Sequence, residues 1–264
     1  MSDRSADPHP INANHNHNRS TNARGSPHRR LVRTPVIARS AASRPGTRHP
    51  PAYARGVTPE LAERIVADSR DRVGWLRARS RGITATDVAH LTSHRAIDRA
   101  AWTKLRGSGF TGNVYTEHGR RREPEIAAWV AATHGILPST ALFRAVVEPR
   151  HLATPDGLRQ DREGRITLAE IKTTNKPWRS IPRSYLRQVW WQQHVLGAER
   201  TLVIWEQHVD FVPVGDEPRC AWVDRDDAEI GTLVRLATAL IDELHRRTHP
   251  SPARQLHRAL ALAD

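Results

Sequence analysis

The chain has 264 residues, a formal net charge of +13 and one cysteine, Cys220. A single cysteine excludes disulfide bonds within the chain and any four-cysteine zinc or iron–sulfur site. No apolar run approaches the roughly 20 residues of a membrane span, and the N-terminus lacks the apolar segment of a secretory signal. We therefore expect a cytoplasmic protein without a membrane segment.

Most of the positive charge lies near the N-terminus. Residues 1–55 contain ten arginines and two aspartates, which contribute +8 of the +13. Residues 1–56 are rich in Arg, His, Asn, Ser and Pro and have little apolar periodicity, so they are predicted to be a disordered tail. Its arginines would add weak, salt-sensitive contact with DNA. We predict a folded domain over residues 57–248 and a C-terminal extension over 249–264.

The first part of the folded region is predicted to be helical. A helical pattern starts at Thr58 and is interrupted at Gly82, and Thr84 or Thr86 can cap a short following helix. Further helices are predicted over 95–106 and about 115–133, on either side of a glycine-containing loop at 107–113. Pro124 must kink the second of these helices or occupy its first turn.

The pattern then changes to short, β-branched segments separated by turn residues. The predicted elements are strands at 142–148, 151–154 and 165–173, a helix at 182–197, strands near 201–206 and 209–214, a helix at 224–247 and a short amphipathic helix after Pro252. Helices followed by a strand meander, a helix and further strands predict a mixed α/β domain.

Lysine is rare in this chain, which has 38 arginines but only Lys104, Lys172 and Lys176. Arginine serves for solubility and phosphate attraction, whereas a compact ammonium of tunable pKa requires lysine. Lys172 ends the sequence Glu170-Ile171-Lys172 in a predicted strand. Residues two apart in a strand share a face, so Glu170 and Lys172 project together and the Ile171 carbonyl lies nearby.

Asp156 precedes this strand, at a strand end or turn where Gly157 allows close backbone approach. If Asp156 and Glu170 meet, their charges repel by about 4 kcal/mol at 4 Å and a dielectric of 20, so one carboxyl binds a proton or a cation occupies the gap. Oxygen ligands of this kind suit Mg²⁺ or Mn²⁺, which can activate water and neutralise a phosphodiester. The alternative is a turn aspartate beside a simple Glu–Lys ion pair.

Three other segments carry chemistry-bearing side chains. Glu123 adds a third acid on a helix. Gln188 and Gln192 share one helical face with Tyr185 and can orient a water or a phosphate, although an exposed polar stripe is the alternative. Arg79 and the hydroxyl of Thr86 form a candidate phosphate pocket, for which a plain helix cap is the alternative.

These motifs together resemble those of a known family. The order Arg79, Gly82-Ile-Thr-Ala-Thr86, Gly119-x-x-x-Glu123, Pro155-Asp156-Gly157-Leu158, Glu170-Ile-Lys172 and Tyr185-x-x-Gln188 is similar to the lambda-exonuclease, or YqaJ-type viral recombinase, nucleases. These belong to the PD-(D/E)xK superfamily. The resemblance spans roughly residues 75–245 and implies a restriction-endonuclease-like core, in which helices flank a mixed central sheet.

The resemblance also implies a role for each matched residue. Asp156 and Glu170 would hold Mg²⁺ or Mn²⁺, assisted by the Ile171 carbonyl and Glu123. Lys172 would position the attacking water and help to deprotonate it, and Gln188 would orient the nucleophile or the scissile phosphate. Arg79 and Thr86 would bind the DNA 5′-phosphate, with Thr86 replacing the serine that is common in relatives. Trp190 and Trp191 either fill the core or stack on a base; core packing is the better explanation.

The function expected from this resemblance is metal-dependent DNA exonuclease activity, 5′→3′ from duplex ends, in phage-type recombination. The resemblance further implies a homo-oligomer, which in this family is often a trimeric ring. It also implies a single-strand-annealing partner protein and a phage or prophage origin in a bacterial host. Two alternatives stay open. One is an endonuclease of the same superfamily, either a restriction or a structure-specific enzyme. The other is a catalytically silent DNA-binding module.

Overall fold

The computed structural model describes residues 57–107 and 113–249. The predicted N-terminal tail, nearly all of the predicted loop at 107–113 and the predicted helix after Pro252 lie outside these residues. Within the described ranges, no helix combines the length and the apolar character that crossing a membrane requires.

The N-terminal half is mainly helical. Its elements are α1 (Pro59–Ala62), β1 (Ile65–Asp68), α2 (Arg72–Ser80), β2 (Ile83–Thr84), α3 (Ala85–Ala89), α4 (His94–Arg106) and α5 (Val114–His134). The Asn113 side chain accepts from the Thr116 amide to cap α5, which ends at Gly135 in the left-handed conformation.

The C-terminal half contains most of the sheet. Its elements are β3 (Leu137–Pro138), β4 (Ala141–Arg144), β5 (His151–Ala153), β6 (Gly157–Gln160), β7 (Ile166–Thr174), α6 (Arg183–Leu196), β8 (Arg200–Val209), β9 (Val212–Pro213), β10 (Arg219–Asp224) and α7 (Asp227–Thr248).

These strands form a small sheet and a larger one. The small sheet has the order β1-β4-β5-β2, and the larger has the order β10-β8-β7-β6-β3, with β9 paired to the end of β8. Both are mixed: β2 pairs β5 in parallel and β7 pairs β8 in parallel, while the other pairings are antiparallel. The fold is therefore the predicted mixed α/β arrangement.

The central strand β7 is covered on both faces. Ala169 and Ile171 pack in a cluster with α5 residues such as Ile126, whereas Leu168 belongs to the larger core cluster formed with α6 and α7. This alternation follows from the two-residue period of a strand. Trp190 and Trp191 of α6 are 6% and 0% exposed, so they fill the core.

Several sequence-based assignments need correction. Ile65 and Val66 lie in β1 and do not continue the first helix, and the predicted strand at 142–148 ends at Arg144. The predicted strands at 201–206 and 209–214 correspond to β8 and the two-residue β9, whereas β3, β6 and β10 were not predicted. Short strands are stabilised by their neighbours in the sheet, which local propensity does not register. Pro124 lies well inside α5 and not in its first turn.

Gly82 joins α2 to the small sheet through a close backbone approach. A Cβ on Gly82 would lie 2.3 Å from the Arg150 carbonyl oxygen and 2.6 Å from Leu152 Cδ1. We expect Gly82→Ala to lower the free energy of unfolding by about 1–3 kcal/mol, measured by denaturant titration, because backbone cannot yield as a flexible side chain does.

Gly231→Ala in α7 is the matched control, since the nearest atom to its added Cβ is Arg235 Nη1 at 3.6 Å. Alanine has the higher helix propensity, so this variant should gain about 0.5–1 kcal/mol. Unchanged stability of Gly82→Ala would contradict the close approach.

Candidate active site

Asp156 is held at the start of β6 by the neighbouring strand. Its Oδ2 accepts a hydrogen bond of 2.7 Å from the Ile171 amide of β7. Gly157 follows opposite Ala169, and a Cβ on Gly157 would lie 2.9 Å from Ala169 Cβ, so only glycine fits without a shift. The turn aspartate and the strand lysine motif thus meet across one antiparallel pairing.

Glu170 lies on the opposite face of β7 from Ile171 and is only 3% exposed. Gln192 of α6 donates from Nε2 to Glu170 Oε2 at 2.7 Å, and Lys172 Nζ donates to Glu170 Oε1. The Lys172 ammonium also lies 5.3 Å from the centre of the Tyr185 ring. Both Glu170 oxygens therefore have a partner, as a buried carboxylate requires.

The charges in this group act strongly on one another. Burial raises the pKa of Asp156 well above its usual value, and the Glu170 charge raises it further. Burial alone would lower the pKa of Lys172, but Glu170 and Asp156 outweigh it and raise that pKa. Lys172 is therefore a charged hydrogen-bond donor in this arrangement.

The oxygen atoms around Asp156 and Glu170 suit a hard divalent cation. In an extended strand the amide and the carbonyl of one residue point to the same side, so we expect the Ile171 carbonyl on the side where Asp156 accepts from the Ile171 amide. Gln192 Oε1 is buried beside Glu170 and has no hydrogen-bond partner. Two carboxylates, a carbonyl and an unsatisfied amide oxygen match the ligand preference of Mg²⁺ or Mn²⁺.

Glu123 lies at the rim of this group. Among residues 57–107 and 113–249, no three His, Cys, Asp or Glu side chains are arranged closely enough to form a preformed metal-binding cluster. The charges of this group act on Glu123. Burial raises the pKa of Glu123, the Lys172 charge lowers it, and the Glu170 charge raises it. The ion pair between Glu170 and Lys172, which the sequence offered as the alternative to a metal site, is present.

Gln188 is not the glutamine that contacts the group. The polar face predicted for α6 is correct, but Gln192, one turn further along the helix, donates to Glu170. The residue was visible in the sequence as a member of that face, and tertiary packing decides which turn lies over the acids. Gln188 is partly buried on the preceding turn.

Arg79 and Thr86 are adjacent, as the sequence predicted. Arg79 Nη2 lies 3.5 Å from Thr86 Oγ1, and the guanidinium carbon lies 4.3 Å from the centre of the Trp75 ring. Trp75 in turn donates to Thr154 Oγ1 at 3.2 Å, two residues before Asp156. The Trp75 indole thus contacts both Arg79 and Thr154, a residue close in the chain to Asp156.

Thr84, not Thr86, stands at the N-terminus of α3. Both its amide and its hydroxyl donate to Asp87 Oδ2, at 2.7 and 2.8 Å, and Lys104 Nζ donates to the same oxygen. The capping role is therefore filled by Thr84, and the Thr86 hydroxyl is exposed and available to a ligand.

One cluster beside the acidic group was not predicted. His118 Nε2 of α5 lies 2.8 Å from His208 Nδ1 of β8, and the two rings line a cleft together with Tyr115 and Phe211. Residues 90 positions apart carry no joint signal in a single sequence.

The raised pKa of Asp156 gives a test by stability. The unfolded chain releases this proton at the ordinary aspartate pKa, below the folded pKa, so stability falls as pH rises between the two. We expect Asp156→Asn to raise the thermal midpoint at neutral pH in EDTA, and the gain to vanish as pH falls to the ordinary aspartate range. A gain of about 1 kcal/mol corresponds to roughly 2–4 °C in a domain of this size.

Asp161→Asn is the matched control of opposite sign. Desolvation opposes the shift, but the Arg165 hydrogen bonds hold the pKa of Asp161 below its usual value, so this variant should lose stability at neutral pH. A lower thermal midpoint for Asp156→Asn would show that Asp156 is a stabilising residue and not a strained one.

Comparison with known proteins agrees with this geometry. Residues 74–199 match the family model of the YqaJ-like viral recombinase domain, and all the sequence motifs described above lie in that segment. No curated protein gives a significant match. The alkaline exonuclease LHK-Exo from Laribacter hongkongensis aligns with a TM-score of 0.53 at 23% identity, over 72% of this chain and 98% of that one.

The complex of LHK-Exo with dAMP aligns equally well, with a TM-score of 0.54 at the same identity and coverage. At this identity the likeness shows a common fold, with mixed sheets flanked by helices. The family of the matched segment indicates a nuclease that acts on DNA. Residues 74–199 thus match the YqaJ-like viral recombinase domain, which confirms the family resemblance predicted from the motifs.

Proposed function

We propose that this chain is a metal-dependent DNA exonuclease that hydrolyses phosphodiester bonds from duplex ends, 5′→3′, in phage-type recombination. The observation that carries the proposal is the group formed by Asp156, Glu170, Lys172 and Gln192 within the YqaJ-like domain. A buried acid and a partly buried acid beside a charged lysine are costly to maintain, and this combination suits metal-assisted hydrolysis of a phosphodiester.

Asp156, Glu170 and the Ile171 carbonyl would hold Mg²⁺ or Mn²⁺, with Glu123 assisting from the rim. A divalent cation bound there would stabilise charge on the phosphate and make a bound water more acidic. Lys172 donates a hydrogen bond to the attacking water and orients it, because its raised pKa keeps the ammonium charged. Gln192 keeps Glu170 in place, and Gln188 would contact the nucleophile or the scissile phosphate from the preceding turn.

Arg79 and Thr86 would bind the 5′-phosphate of the DNA end. Desolvation lowers the pKa of Arg79, but a guanidinium remains charged at any physiological pH. Among the described residues Arg79 makes no salt bridge with a carboxylate, so the charge is available to a phosphate. Stacking on Trp75 fixes the plane of the guanidinium.

The same proposal includes a homo-oligomeric ring, often a trimer, a single-strand-annealing partner protein and action inside a bacterial host. Sedimentation of the purified chain tests the homo-oligomer. Co-purification with a phage annealing protein tests the partner. The basic residues 1–56 would add weak contact with DNA, which rising salt removes.

Lys172→Ala should abolish cleavage of a 5′-phosphorylated linear duplex in Mg²⁺ while folding and DNA binding stay largely intact, because the water loses its orienting donor. Time-resolved digestion that follows both strands measures the effect and the polarity, and EDTA should abolish cleavage by the native chain. Lys176→Ala is the matched control, since Lys176 is an exposed lysine four residues away that should retain native activity.

Undiminished cleavage by Lys172→Ala would rule out this role for the lysine. A covalently closed circle separates the alternatives: an exonuclease leaves it intact and an endonuclease cuts it. No cleavage of any DNA in Mg²⁺ or Mn²⁺ would favour the silent DNA-binding module.

Arg79→Ala should reduce the preference for 5′-phosphorylated over 5′-hydroxyl ends by roughly tenfold, the order of one charge-assisted hydrogen bond. The measurement compares initial digestion rates on the two ends. Arg77→Ala, an exposed arginine on the same helix, should keep the preference. If the preference were lost only on deletion of residues 1–56, the phosphate would instead bind to the tail.

A further inference from the structure

A cleft of about 510 Å³ opens directly beside the candidate active site. Thr173 and Thr174, which follow Lys172 on β7, form its floor. Tyr185 forms one wall, and its ring lies against the Lys172 ammonium at 5.3 Å. The cleft is therefore continuous with the group that would act on the phosphodiester.

The opposite wall is aromatic and largely exposed. Tyr115 at the start of α5 is 56% exposed and Phe211 in the β8–β9 turn is 44% exposed. Contiguous exposed apolar surface often marks a binding site. The centroids of these two rings are 5.3 Å apart with planes tilted by 31°, and the His118 ring is 5.2 Å from Phe211. These three rings form one continuous surface.

Phe211 occupies this surface at a conformational cost. Asp210 and Phe211 form a two-residue hairpin turn and have φ of +48° and +67°. A turn with two positive φ values prefers Asn-Gly, because glycine adopts this conformation freely and a bulky side chain does not. Backbone strain of this kind is characteristic of ligand clamps, where the surrounding structure holds it in place.

A chain of buried hydrogen bonds fixes the His118 ring. Arg122 donates to both oxygens of Glu206, at 2.9 Å each, and Glu206 accepts from His208 Nε2 at 2.7 Å. Because a carboxylate only accepts, His208 donates to Glu206 from Nε2, and its Nδ1 lies 2.8 Å from His118 Nε2. Desolvation, then His208 and two arginines, hold the pKa of His118 below its usual value, so this ring is uncharged at neutral pH.

We propose that this cleft is a base-stacking site for a single DNA strand, in which Tyr115 and Phe211 stack on the bases of the strand that leads to Lys172. Aromatic rings accept any base on their faces, and exposed Arg120 and Arg121 on the neighbouring turn supply positive charge for the backbone phosphates. The inference rests on the proposed nuclease function, and it adds how the strand is held.

Binding of a short oligothymidylate strand and of an abasic strand of the same length tests the proposal. Measured in EDTA, binding is read without cleavage, and the two strands carry equal backbone charge. The native chain should bind the thymidylate strand about tenfold more tightly than the abasic strand, the order expected for base–aromatic stacking.

In Phe211→Gly this ratio should fall towards one, while the salt dependence of binding is unchanged because the phosphate contacts remain. Glycine relieves the positive φ, so the variant should melt at or above the native temperature, and lost discrimination cannot then be due to unfolding. Phe211→Trp should keep the ratio, and Tyr115→Ala should lower it. Trp102→Ala is the matched control, because Trp102 is an equally exposed aromatic on α4, outside the cleft lining.

A native ratio of one, or a native-like ratio in both Phe211→Gly and Tyr115→Ala, would overturn the base-stacking site. Digestion in Mg²⁺ separates this result from failure of the proposed function. Cleavage by a chain that does not discriminate the two strands removes only the stacking site. Discrimination by a chain that cleaves no DNA removes the nuclease assignment and leaves a single-strand-binding surface.

Discussion

The register between β6 and β7 is the constraint on which the candidate site depends. The Ile171 amide donates to Asp156, and the same pairing sets Gly157 opposite Ala169. A shift of one residue would reverse the faces of β7, placing Glu170 in the apolar contact with α5 and Ile171 beneath α6. Because burying an unpaired carboxylate there is very costly, the hydrophobic pattern and the charged pattern enforce the same register.

The charged group is built at the expense of stability. Burial and the Glu170 charge raise the pKa of Asp156, and Lys172 donates a hydrogen bond to Glu170. Exchange of a buried ion pair for apolar residues is often neutral or stabilising in other proteins. A site with this composition is therefore better explained by chemistry than by folding, and the strained turn at Phe211 follows the same logic in the adjacent cleft.

The sequence predicted the parts of the site that local rules control. The two-residue period of a strand placed Glu170 and Lys172 on one face, and the turn at Pro155-Asp156-Gly157 placed an acid beside them. Helical spacing found the polar face of α6 but not its rotation over the acids, since that depends on how α6 packs on the sheet. Gln192 therefore takes the contact at Glu170.

The His118–His208–Glu206 chain could not be found in this way. It joins α5 to β8 over a long separation in sequence, and nothing in the spacing of these residues distinguishes them from ordinary surface histidines. Phe211 was hidden for a related reason, because Asp-Phe is not a typical hairpin dipeptide and its positive φ values depend on the pairing of β8 with β9.

The scarcity of lysine has a practical consequence for labelling. The chain carries only three side-chain amines, and two of them are engaged in ion pairs: Lys104 with Asp87 and Lys172 with Glu170. The raised pKa of Lys172 keeps its amine protonated and therefore unreactive towards acylation, so an acylating reagent would label the exposed Lys176, four residues along the chain, against little side-chain background. In a chain dominated by guanidinium groups, amine chemistry becomes nearly site-selective without any engineered handle.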